Sequence, residues 1–83
     1  MFEKIFINTI ENLQEFIKIV SKYDCPIEAW NEGDNRVYSV SSIISIFALD
    51  FSKKIYVKIN SEDKNISNNF YKEIKRFKEE TNK

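Results

Sequence analysis

The chain contains no histidine, and its 83 residues include one cysteine, one proline, one glycine and one tryptophan. Without histidine there is no imidazole base to activate a serine, and no histidine ligand for a transition metal. A glycine-rich phosphate loop is also missing. The single Cys25 cannot form an internal disulfide, which suits a reducing compartment. We therefore predict no metal site and no cofactor, and we expect that the protein is not an enzyme.

Long apolar runs and an excess of one charge are missing as well. The longest apolar stretch, residues 43–49, is interrupted by Ser45 and is far too short to span a bilayer. Residues 1–4 lack the basic start and apolar core of a signal peptide. Thirteen basic and thirteen acidic residues cancel, so no global charge favours nucleic acid or an anionic membrane. These features predict a cytoplasmic protein without a membrane partner.

The hydrophobic pattern that is present predicts one α+β domain over residues 1–83. Alternation predicts strands at residues 4–8, 26–30, 36–40 and 54–59, with a hairpin loop at residues 31–35. Helical spacing predicts a first helix capped by Asn8, a short helix at residues 43–49 and a last helix. The apolar stripe of the first helix is Ile10, Leu13, Phe16, Ile17 and Val20, and that of the last is Ile66, Phe70, Ile74 and Phe77. This order predicts an antiparallel sheet with its helices on one face, an open-faced sandwich.

Two segments resemble one known family. Ser21-Lys22-Tyr23-Asp24 and Ser42-Ile43-Ile44-Ser45-Ile46-Phe47-Ala48-Leu49 are similar to segments of HPr, the histidine-containing phosphocarrier of the bacterial sugar phosphotransferase system. The resemblance covers nearly the whole chain. It implies a four-stranded sheet in the order one, four, two, three, with three helices on one face.

The family's phosphoryl-accepting motif, Gly-(Leu/Ile)-His-x-Arg-Pro, is not present. Alignment on Phe16 and residues 21–24 places Thr9 at the histidine, Glu11 at the arginine and Asn12 at the proline. A threonine hydroxyl without a neighbouring base cannot replace the imidazole nucleophile. A glutamate also repels a phosphoryl group where the family offers a guanidinium. We expect that histidine phosphocarrier activity is lost.

The family's regulatory serine does have a counterpart. Ser42 aligns with the residue that HPr kinase phosphorylates, and Ile43, Ile44 and Phe47 align with the apolar patch that docks partners such as the catabolite control protein, a transcriptional regulator. The resemblance thus implies a regulatory phosphorylation site at Ser42 and a protein-binding patch beside it. The alternative is that Ser42 only caps the helix and that the isoleucines belong to the core. The family's basic residue before the serine is here Ser41, which weakens the comparison.

The family's strand order would also align Phe6, Trp30 and Tyr56 across the open face of the sheet. Such an aromatic patch favours a protein contact, including a weak homodimer through the sheet. It could equally be cross-strand pairing that stabilises a small sheet. Stacking of unpaired bases is a third use of such a face, but neutral net charge disfavours it. The sequence therefore predicts a regulatory or protein-binding HPr-like protein, with single-stranded nucleic-acid binding as the alternative.

Overall fold

The strands and helices follow one another in the predicted order. The computed structural model describes residues 1–40 and 43–78. Its elements are β1 (Glu3–Ile5), α1 (Ile10–Ser21), β2 (Ile27–Asn31), β3 (Tyr38–Ser39), α2 (Ile43–Ile46), β4 (Ile55–Ile59) and α3 (Lys64–Glu73), which continues as a 3₁₀ turn (Ile74–Phe77).

The strands form one antiparallel sheet in the order β1-β4-β2-β3. Lys4 pairs with Tyr56 across β1 and β4, and Tyr56 pairs with Trp30 across β4 and β2. With α1, α2 and α3 on one face, this is the predicted α+β open-faced sandwich, which is confirmed for the described residues.

The core lies between the sheet and the helices. Alternate strand residues point inward, so that β2 and β4 each read buried, half-buried, buried along their length. Three phenylalanines, Phe16, Phe70 and Phe77, are the largest fully buried side chains and fill the space beneath the sheet. Alternation and helical spacing therefore predicted the inward face correctly.

The start of α1 differs from the prediction. Thr9, not Asn8, is the N-cap, and its Oγ1 accepts a hydrogen bond from the backbone N–H of Asn12 at 3.0 Å. Ile10 is the first helical residue and is 72% exposed, because it lies beyond the core cluster. Ile19, which the predicted stripe omitted, is buried.

The hairpin between β2 and β3 shortens the third strand. Gly33 has φ +81°, a conformation that favours glycine. The backbone N–H of Arg36 donates to Asp34 Oδ1 at 3.0 Å, a bond within the loop. Because this N–H is bonded within the loop, sheet pairing begins at Tyr38 rather than at residue 36.

Candidate functional site

An apolar surface lies on α2 and the turn that follows it. Ile43 is 55% exposed, Ile44 83% and Phe47 60%, and we call these three residues the α2 patch. Ile46 and Leu49 are buried and anchor the segment to the core. The alternative that both Ile43 and Ile44 are core residues is therefore wrong.

The sequence around the α2 patch carries no charge. No Asp, Glu, Lys or Arg occurs between Arg36 and Asp50, although 31% of the whole chain is charged. Depletion of charge around exposed apolar side chains is typical of the centre of a protein–protein interface. The predicted phosphorylation site, Ser42, lies outside the described residues, as does Ser41.

Thr9, Glu11 and Asn12 lie together at the N-terminal end of α1. The Thr9 hydroxyl is occupied in capping the helix, and the exposed Glu11 puts a negative charge in the first turn. Acidic residues are favourable at this end of a helix. The arrangement thus stabilises α1, and it offers neither a nucleophile with a base nor a cationic clamp for a phosphoryl group.

Two shallow pockets lie beside this end of α1. One, of about 400 Å³, is lined by Thr9, Ile10 and Leu13 together with Phe51. The other, of about 610 Å³, is lined by Phe6, Glu32 and the lysines Lys53 and Lys54. Ile7 and Phe51 line both. The basic residues therefore line a different pocket from the threonine hydroxyl.

Trp30 and Tyr56 form the predicted aromatic contact on the open face. Their rings stack at 5.9 Å between centroids, and Phe2 packs edge-on against both, at 5.7 Å from Trp30 and 5.5 Å from Tyr56. We call Phe2, Trp30 and Tyr56 the aromatic cluster. Cross-strand aromatic contacts of this kind stabilise a sheet and leave part of each ring exposed.

Phe6 does not belong to the aromatic cluster, so its predicted position was wrong. Strand β1 ends at Ile5, and the backbone N–H of Phe6 donates to the carbonyl of Phe77 at 2.7 Å. This bond takes the chain away from the sheet edge toward the helices, and Phe6 lines the larger pocket instead. Phe2, on the same face as Lys4, supplies the third ring. The alternation that predicts β1 extends from residue 4 back to residue 2, and this pattern indicates that Phe2 shares the face of Lys4.

The N-terminal end of β1 is held by a tyrosine of α3. Tyr71 Oη donates to the carbonyl of Met1 at 3.0 Å and accepts from the backbone N–H of Ile59 at 3.1 Å. These bonds join the segment before Phe2 to the end of β4, and so fix the position from which Phe2 reaches the other two rings.

Lysines and glutamates flank the aromatic cluster in pairs. Glu28 and Lys58 are cross-strand neighbours on one side of it. On the other side, Lys54 Nζ lies 3.6 Å from Glu32 Oε1, and the backbone N–H of Glu32 donates to the Lys54 carbonyl at 3.1 Å. In both pairs the lysine lies on the β4 side and the glutamate on the β2 side.

Glu73 of α3 bonds two residues that follow α1. Its carboxylate accepts hydrogen bonds from Tyr23 Oη and Lys22 Nζ. The Lys22 bond, followed by the Tyr23 bond, lowers the pKa of Glu73. Burial, aided by the bond to Glu73, raises the pKa of Tyr23 to about 12. The cluster connects two helices, which is a structural role.

Residues 1–40 and 43–78 contain neither a cluster of metal ligands nor a membrane-spanning helix. No group of histidine, cysteine, aspartate and glutamate side chains in these ranges could hold a metal ion. No helix there is long and apolar enough to cross a membrane.

The sheet order, the helices on one face and the short exposed α2 define an HPr-like fold. A solved structure of a histidine-containing phosphocarrier protein, from a study of Mycoplasma and Gram-positive bacteria, matches over 92% of this chain and 89% of that one. The TM-score is 0.66 and the sequence identity is 14%, so the match shows the fold. No family model matches the sequence, and no curated protein does.

Proposed function

We propose that this chain is a non-enzymatic, protein-binding HPr-like module that docks a partner through the α2 patch and does not carry phosphate on histidine. The exposure of Ile43, Ile44 and Phe47 carries this proposal. Keeping three large apolar side chains in water is unfavourable, and contiguous apolar surface commonly marks a protein contact.

The partner is a protein with an apolar recess, because the surface to be covered is apolar and uncharged. Association through the α2 patch should depend only weakly on salt, since exposed charges contribute most of the salt dependence of binding. A transcriptional regulator and a kinase of the phosphotransferase system are the partner classes that the resemblance implies.

Affinity capture from the native cytoplasm tests the docking surface. We expect the wild type to retain a specific protein that Phe47→Glu loses, because a carboxylate in an apolar recess would be buried without a partner. Ile10→Glu is the matched control, since it introduces a glutamate at another exposed apolar position, the first residue of α1.

The captured protein is then purified and titrated against each variant. Binding to wild type and Ile10→Glu, with at least about tenfold weaker binding to Phe47→Glu, supports the proposal. Equal affinity of all three variants would contradict it.

Ser42 is the proposed regulatory site of the same surface. A phosphate there would add a charge of roughly −1.5 to −2 beside the apolar patch and oppose its burial in an apolar recess. Incubation with HPr kinase and ATP should add one phosphate, measured by mass spectrometry, and Ser42→Ala should abolish the addition. No added phosphate, under conditions that modify an HPr protein, would leave Ser42 without this role.

A further inference from the structure

We infer that a second copy of this chain pairs with the first through the open face of the sheet, around a two-fold axis that runs parallel to the strands between β2 and β4. This surface lies on the opposite side of the sheet from the helices, so the inference is independent of docking through the α2 patch.

The open face presents three rows of side chains across the two central strands. The rows are Lys58 with Glu28, Tyr56 with Trp30, and Lys54 with Glu32. The middle row is aromatic, and each outer row carries one positive and one negative charge. The charges are separated by strand: both lysines lie on the β4 side and both glutamates lie on the β2 side.

This order makes the face complementary to itself. A two-fold axis parallel to the strands places β4 of one copy over β2 of the other. Each row of one copy then lies opposite the same row of the other copy. Lys58 then faces Glu28 of the second copy, Lys54 faces its Glu32, and the Tyr56 ring faces the Trp30 ring. Four lysine–glutamate pairs would thus form between the copies. Aligned sheets pack about 10 Å apart at roughly 30°, which keeps these central rows opposite one another.

The aromatic cluster supplies the apolar centre of the contact. Trp30 and Tyr56 are half-buried, and Phe2, which covers part of both rings, is itself 55% exposed. A second copy would remove these rings from water and surround them with charge pairs, the arrangement of an apolar core with a polar rim. The face of a sheet this short is small, so the pairing should be weak and reversible.

The same charges disfavour a nucleic acid on this face. A strand of RNA that stacked on Trp30 and Tyr56 would place its phosphates over the outer rows, where Glu28 and Glu32 match the two lysines in number. Lys4, opposite Tyr56 on β1, is an additional cation beside the cluster. A second copy satisfies both signs, whereas a polyanion satisfies one.

A pair of charge-reversed proteins tests the axis as well as the contact. Glu28→Lys/Glu32→Lys makes the outer rows wholly positive, and Lys54→Glu/Lys58→Glu makes them wholly negative. Sedimentation equilibrium, with protein concentrations raised into the millimolar range, should show weak self-association of the wild type. Each reversed protein alone should associate at least about tenfold more weakly, and their equimolar mixture should regain an affinity like that of the wild type.

Lys64→Glu/Lys72→Glu is the control, because it reverses two exposed lysines on α3 and should leave association unchanged. Thermal unfolding of every variant verifies that the monomer is folded. A wild type that stays monomeric, or a mixture no stronger than its separate components, would overturn the inference. Binding of poly-uridine by a monomeric wild type would overturn it too, and would assign the face to nucleic acid.

Discussion

At the scale of single residues, the most informative side chain is one that the sequence did not distinguish. Asn31 is only 4% exposed and ends β2, where the sequence predicted the start of a polar hairpin loop. Its Nδ2 donates to the carbonyls of Asp50 at 2.8 Å and Lys54 at 3.3 Å, and its Oδ1 accepts from the backbone N–H of Asp50 at 2.8 Å. One amide therefore holds the turn between α2 and β4 against β2.

Removal of this amide should destabilise the fold. Asn31→Ala leaves the backbone N–H of Asp50 without its partner and removes one of the two hydrogen bonds that the Asp50 and Lys54 carbonyls each accept. We expect the free energy of unfolding to fall by about 1 to 3 kcal/mol. Chemical denaturation measures this. Asn35→Ala, at an exposed position of the hairpin loop, is the control and should change stability by less than about 0.5 kcal/mol. Equal effects of the two variants would contradict the bridging role of Asn31.

The Glu73 cluster makes stability depend on pH in a defined direction. Because Lys22 and Tyr23 lower the pKa of Glu73 in the folded protein, its contribution is present above the unfolded-state pKa and is lost as pH falls through the folded-state pKa. Glu73→Gln should be less stable than the wild type near neutral pH. This difference in stability between Glu73→Gln and the wild type should disappear in acid, as measured by thermal unfolding between about pH 2 and 7.

The tyrosine of that cluster acts at the other end of the pH scale. The pKa of Tyr23 is raised to about 12, so its contribution is complete below the unfolded-state pKa of about 10 and is lost as pH rises toward about 12. Tyr23→Phe should remove the loss of stability at alkaline pH while it leaves the bond between Lys22 and Glu73 in place.

The Glu73→Gln variant can contradict this account of the cluster. If the difference in stability between wild type and Glu73→Gln does not change with pH, Glu73 does not have the role described.

At the scale of elements, α2 combines a buried and an exposed side on four residues. Ile46 is 1% exposed and Ile44 is 83% exposed, although the two isoleucines are separated only by Ser45. Ile46→Ala should lower the free energy of unfolding by about 2 to 5 kcal/mol, because it leaves a cavity in the core. Ile44→Ala should change it by less than about 0.5 kcal/mol.

Denaturation of these two variants, with partner titration of Ile44→Ala, separates folding from binding. If α2 docks a partner, Ile44→Ala weakens the complex while its stability matches that of the wild type. A large loss of stability in Ile44→Ala would show that the residue packs in the core, contrary to its exposure.

The elements themselves could largely be predicted from the sequence. Period-two alternation predicted β2 and β4, and the spacing of Phe70, Ile74 and Phe77 predicted the buried side of the last helix. Pattern alone could not show that this helix tightens into a 3₁₀ turn at Ile74, since both helix types keep those residues on one side. Nor could it choose between Asn8 and Thr9 as the cap, because both side chains can accept the bond.

The two candidate surfaces differ in how far sequence could predict them. The exposure of Ile43, Ile44 and Phe47 was implied by the family resemblance, whereas periodicity in so short a helix left a core position equally open. The aromatic cluster needed the register of three strands and the end of β1. Phe2 and Phe6 lie two residues to either side of Lys4, which pairs with Tyr56, and only tertiary contacts such as the bond from Phe6 to Phe77 decide which of the two rings joins the cluster.

At the scale of the whole molecule, an HPr-like fold is formed by a chain that contains no histidine. Incubated with phosphoenolpyruvate and enzyme I, the protein should take up no acid-labile phosphate, because Thr9 lacks a base and Glu11 repels the phosphoryl group. Radiolabelled phosphate measures the transfer, with a histidine-containing HPr as the positive control. Stoichiometric acid-labile labelling of this chain would show that the alignment of Thr9 is wrong.

The position of the single tryptophan gives the molecule a built-in optical probe. In many small domains the indole is part of the core, and its emission follows global unfolding. Here Trp30 lies on the open face under the edge of Phe2, outside the core formed by the inward side chains. Its fluorescence therefore reports the polarity at that face while the fold stays intact. Dilution of a concentrated sample should shift the emission to longer wavelength as the copies separate and water reaches the indole, without any attached label.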